Sequence, residues 1–135
     1  AADHGGLDAD TDQIHILGVS DPLVKCLTHE PSGDNRAAYF DVRVGEEREF
    51  ETLFRDRFGD RFFLISVDDA EALELFGAGP LSEATRSRLG TFVAISAGAD
   101  VLLYAWPSRD PKRPIPIGHH SGLSPSEMRI PLIIA

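Results

Sequence analysis

The residues of this chain best suited to chemistry stand near its two ends. It opens "AADHGGLDADTD" and closes "GHHSGLSPSEMRIPLIIA". Asp3 and His4 come directly before two glycines, while His119 and His120 lie between Gly118 and Gly122. Carboxylate oxygen and imidazole nitrogen suit a borderline cation such as zinc. Neighbouring residues on a regular strand point to opposite faces, so Asp3 and His4 can reach one metal only where a strand ends. Gly5-Gly6 marks such an end, and His120 sits at a similar break. Together the two ends suggest one site assembled from residues far apart in sequence.

Composition narrows what such a site can serve. With 135 residues the chain has room for one domain with a hydrophobic core. Its net charge of -9, with 13 Lys and Arg against 22 Asp and Glu, argues against gripping a nucleic-acid duplex by its phosphates. An anionic substrate would need a local source of positive charge, which bound metal ions supply. The single cysteine, Cys26, excludes an internal disulfide and a cysteine-based zinc cluster, and reads as a small buried hydrophobe. No run approaches the roughly 20 apolar residues of a membrane span, and no secretory signal pattern is present, so no membrane and a cytoplasmic setting are the default expectations. The apolar run "IPLIIA" reads as a buried strand that needs neighbours on both faces. The expectation is therefore an excised piece of a larger protein, with homo-oligomerisation open to it if that strand is uncovered.

Between the ends the sequence predicts a small α+β unit. Asp8, Asp10 and Asp12 alternate like a calcium loop but lack its central glycine and closing glutamate, and read as a solvated acidic turn. "AAYFDVRV" alternates as a half-buried strand. Phe50, Leu53, Phe54 and Phe58 fall on one face of a helix over Glu46 to Phe58, stopped by Gly59. "RFFLIS" reads as a strand, after which Ser66 caps a helix through "AEALELF"; Ser82 caps a second helix, "SEATRSRL", ended by Gly90. "TFVAIS" and "VLLYA" flank "AGAD" as in an antiparallel hairpin. The proline-rich "WPSRDPKRPIPIG" then predicts an extended return. His15 and His29 lack partners at ligand spacing and read as structural.

At "ADHGG", at "GHHSGLSPSEMRIPLIIA" and more loosely at "SGDNRAAYFDVRVG", the chain resembles the type I phosphodiesterase and nucleotide pyrophosphatase family of the alkaline phosphatase superfamily. The resemblance covers the whole chain but only the C-terminal part of a full family member. It implies an α/β parent in which this chain supplies a small mixed-sheet cap or insert: residues 1–20 at the edge of the metal-site core, 21–105 the α+β insert, and 106–135 the return carrying the second ligand motif. It also implies two zinc ions, with Asp3 and His4 on the first and His120 on the second. The nucleophile and remaining ligands would come from a missing N-terminal core, so the parent would hydrolyse phosphate esters or nucleotides while this chain alone would be inactive or nearly so. Ser121 departs from the glycine common at that position in the family.

Arg109, Lys112 and Arg113 precede Gly118 and are candidates for a substrate phosphate, against the commoner reading of a solvated linker face. His119 is read as a pocket-edge or solvent residue near substrate, not as a ligand. Two rival functions stay open: a non-catalytic cap or interaction module, and part of a phosphomonoesterase or phosphomutase of the same superfamily.

Overall fold

Alternation and helical spacing resolve into a four-stranded antiparallel sheet and two small strand pairs in the computed structural model, which describes residues 5–105 and 114–129. In chain order the elements are β1 (Leu7–Asp8), β2 (Ile14–Leu17), α1 (Pro22–Lys25), β3 (Ser32–Asp34), β4 (Ala37–Phe40), α2 (Glu47–Phe58) and β5 (Phe62–Ser66). There follow α3 (Val67–Ala72), α4 (Glu83–Leu89), β6 (Phe92–Ser96), β7 (Val101–Tyr104), β8 (Gly118–His119) and α5 (Pro125–Met128). This is the α+β class that the sequence predicts.

The sheet runs β3-β4-β6-β5. One face, with Ala38, Phe40, Phe62, Leu64, Phe92 and Ala94, packs on the Phe50, Phe54 and Phe58 stripe of α2. Phe54 sits at the centre of that layer, its ring centroid 5.8 Å from Phe40, 5.2 Å from Phe58 and 6.3 Å from Phe62. Each buried phenylalanine contributes about 1.5–3 kcal/mol through burial. The opposite face brings Val93 and Ile95 against Val67 and Leu89. With helices on both sides, every residue of β6 is buried. The expected caps form: the hydroxyls of Ser66 and Ser82 accept from the backbone N–H of Asp69 and Thr85 at 3.0 and 3.2 Å. Cys26 lies in the main core, where burial pushes its thiol pKa up.

Three expectations need correction. β6 and β7 do not form a hairpin. β6 has β4 on one edge and β5 on the other, so it has no edge to offer, and β7 pairs in parallel with β2 in the register Ile14↔Val101 to Leu17↔Tyr104. The helix through "AEALELF" ends at Ala72, because Glu74 adopts φ +54° and Phe76 turns back to place its ring 6.2 Å from Tyr39. The strand "AAYFDVRV" stops at Phe40: the Thr91 hydroxyl accepts the Val42 N–H at 3.0 Å, only the bridge Leu27↔Val42 follows, and Val44 is exposed. The β2–β7 pair also joins the 1–20 stretch to the 21–105 stretch, with Leu17 and Leu102 in one core. Among the described residues no helix is long and apolar enough to cross a membrane.

Candidate functional site

The two ends meet through backbone pairing. β1 runs antiparallel to β8, with Leu7 opposite His119 and Asp8 opposite Gly118, and the Ala9 N–H donates to the Ile117 carbonyl at 3.0 Å. Gly5 packs so closely on the Ser126 carbonyl oxygen that a β-carbon would collide with it. The backbone that follows the Asp-His pair therefore lies beside the histidine segment. Asp3, His4, Arg109, Lys112 and Arg113 lie outside the described residues, as does "IPLIIA".

The turn between β3 and β4 grips that segment at three successive points. Its own backbone is pinned first: the Asn35 carbonyl accepts from Leu102 N–H at 2.7 Å and the Arg36 carbonyl from Ser96 N–H at 2.9 Å. From this anchored turn the Asp34 carboxylate accepts from the Ser121 hydroxyl at 2.8 Å, and the Asn35 amide reaches His119 Nδ1 at 3.1 Å. Arg36, completely buried, reaches Glu127.

All five guanidinium N–H groups of Arg36 have acceptors. Nε and Nη2 donate to the two Glu127 oxygens at 2.6 and 3.0 Å. Nη1 donates to Ser96 Oγ at 3.2 Å and the Asp100 carbonyl at 3.3 Å, and Nη2 also reaches the Gly98 carbonyl at 2.6 Å. Wrapping "AGAD" around a buried cation is what directs the chain from β6 towards β2. Glu127 in turn accepts from Gly122 N–H at 2.8 Å and the Ser124 hydroxyl at 2.6 Å. Burial alone would raise its pKa, but the bonds from Arg36, Ser124 and Gly122, with the Arg36 charge, lower it to about 2. Gly122 is required by proximity: a β-carbon there would lie 2.6 Å from Glu127 Oε2.

His119 corrects the sequence reading. It is 5% exposed, a buried strand residue and not a pocket-edge or solvent one, because β8 pairing turns its ring inward to Asn35. Its Nε2 is buried without a hydrogen-bond partner among the described residues. His120, on the opposite face, has a half-exposed side chain whose Nδ1 lies 2.8 Å from Ser121 Oγ and 3.9 Å from Asp34 Oδ2. Ser121 has φ +79°, the left-handed region that favours glycine. The other histidines are held in the fold: His15 bonds Asp100 at 2.7 Å and packs on Phe58, and His29 bonds the Glu30 carbonyl at 2.9 Å.

The donor chemistry here fits a zinc ligand at His120. A metal-binding imidazole commonly has its second nitrogen hydrogen-bonded in this way, which fixes ring orientation. Among the described residues no group of three His, Cys, Asp or Glu side chains is placed to hold a metal by itself. A separate open cleft of about 600 Å³ between α2, β5 and α3 is lined in part by Glu51 and Arg55, which pair with each other at 2.9 Å.

Asp34, Asn35, Arg36 and Glu127 lie in stretches that carry the family resemblance, but the sequence assigns them no role. Arg36 left a trace, since it shares strand parity with buried Ala38 and Phe40. Glu127 left one in "SPSE", a helix-capping pattern. Comparison with family models, curated proteins and solved structures gave no match.

Proposed function

We propose that this chain is the C-terminal segment of a metal-dependent phosphodiesterase or nucleotide pyrophosphatase, with the nucleophile supplied by an N-terminal core of the same protein. The observation that carries the reading is a convergence. The three stretches on which the resemblance rests meet in space: Gly5 against Ser126, Asp34 to Arg36 against His119 to Glu127, and β1 against β8. Ser121 adds to it, because the backbone there is of the kind a glycine serves best.

In this reading Asp3 and His4 hold one zinc ion and His120 the other. Zinc ions held by these residues would supply positive charge to offset the charge that develops in displacement at phosphorus. The chain's own contribution is placement. The Arg36–Glu127 pair fixes the segment from Gly122 to α5 against the sheet, β1–β8 pairing sets the register of the two ends, and Asp34 and Asn35 orient His120 and His119. Arg109, Lys112 and Arg113 remain candidates for a substrate phosphate.

The interaction-module reading is favoured by the exposure of Ile16, Val19, Ile117, Leu123 and Met128, apolar side chains on and just after β2, near β8 and around α5. A longer protein carrying the upstream core, assayed with zinc on bis- and mono-nitrophenyl phosphate, tests the proposal. Hydrolysis of the diester, lost in His120→Ala, is expected. Faster monoester turnover would favour a phosphomonoesterase, and no hydrolysis of either would favour the module.

A further inference from the structure

We propose that Asp34, acting through the Ser121 hydroxyl, holds His120 in the tautomer that carries its proton on Nδ1 and directs the Nε2 lone pair to metal. The inference rests on the metal-site reading for its purpose but not for its geometry.

Both oxygens of Asp34 are committed. Oδ1 accepts from the Asn35 N–H at 2.7 Å, and Oδ2 accepts from the Ser121 hydroxyl at 2.8 Å. A carboxylate only accepts, so the hydroxyl proton points to Asp34. Ser121 Oγ then presents a lone pair to His120 Nδ1, 2.8 Å away, which must donate. The direct gap from His120 Nδ1 to Asp34 Oδ2, 3.9 Å, is too long for a hydrogen bond, so serine is the link. The carboxylate at the end of this chain makes Nε2 a better ligand. An unrestrained neutral imidazole favours the other tautomer, with its proton on Nε2.

Ser121 holds a left-handed backbone that side-chain-bearing residues rarely adopt. There it places its hydroxyl between the two groups. Glycine, the residue that the family resemblance leads one to expect, would suit the backbone and provide no link. Asp34 and Ser121 are thus positioning residues, and Ser121 is the one that distinguishes this chain from that pattern.

The test is long-range proton–nitrogen NMR of the histidine-¹⁵N-labelled chain at about pH 8.5, above the ordinary imidazole range. His120 is assigned by its absence in His120→Ala. The expected result is protonated Nδ1 in the metal-free chain, reverting to protonated Nε2 in both Asp34→Ala and Ser121→Gly. Ser121→Gly suits the local backbone, so its fold is retained. Protonated Nε2 in the parent chain, or a tautomer unmoved by either variant, overturns the relay. Zinc added to the same samples should perturb His120 Nε2, with affinity on the order of tenfold weaker in the two variants. A relay intact in the metal-free chain but indifferent to zinc upholds the positioning and rejects the metal reading.

Discussion

Replacing Glu127 with Gln should be among the most damaging single changes to this fold. The carboxylate is buried, its side chain 2% exposed, against a guanidinium that is fully buried. The fall of its pKa from the ordinary 4.5 to about 2 corresponds to about 3–4 kcal/mol at about 1.4 kcal/mol per pH unit. Glu127→Gln removes that contribution and leaves the Arg36 charge buried without a counter-ion, a defect that costs about 3–5 kcal/mol. The sign with pH follows from the depressed pKa: the stabilisation is present above the ordinary value of 4.5 and is lost as pH falls towards 2. Urea unfolding from pH 7 to pH 2.5 reads both effects. Because the range stops just above the folded pKa, the parent chain should lose most of that contribution, about 2–3 kcal/mol more than Glu127→Gln does. A variant within about 1 kcal/mol of the parent at pH 7, with the same pH dependence, would refute the assignment of Arg36–Glu127 as the clasp of the C-terminal segment.

Two further changes probe the packing that positions the site. Gly122→Ala places a β-carbon 2.6 Å from Glu127 Oε2 and 2.9 Å from Arg36 Nη2, so overpacking of about 1–3 kcal/mol is expected by urea unfolding, with a smaller effect if Arg36 is already replaced. Phe54→Ala empties the centre of the layer between α2 and the sheet and should cost about 3–5 kcal/mol by the same measurement, since Phe54 is fully buried among Phe40, Phe58 and Phe62.

Local signals in the sequence located α2, α3, α4 and the strands β5 and β6, because each rests on spacing or a cap that neighbouring residues carry. Phe50, Phe54 and Phe58 recur every fourth residue, and Ser66 and Ser82 both cap. Pairing between distant strands left no such mark. "TFVAIS-AGAD-VLLYA" has the form of a hairpin, and what diverts it is Arg36, some sixty residues earlier, bonding Gly98 and Asp100 carbonyls. The same holds for the candidate site. The histidines and glycines could be singled out by type, but their supports, Asp34, Asn35 and Arg36, have no marked role in sequence until the β3–β4 connection brings them to β8 and α5. The burial of His119 was hidden for that reason too, since it depends on which face of β8 is turned inward.

The central claim is that the two ends of this chain assemble one metal site, and calorimetric titration with zinc tests it most directly. The parent chain should bind zinc, weakly compared with a closed structural site because its ligands are divided between two ions. His120→Ala and Asp3→Asn should each reduce that binding. Binding equal in all three proteins, or negligible in all three, would contradict the claim.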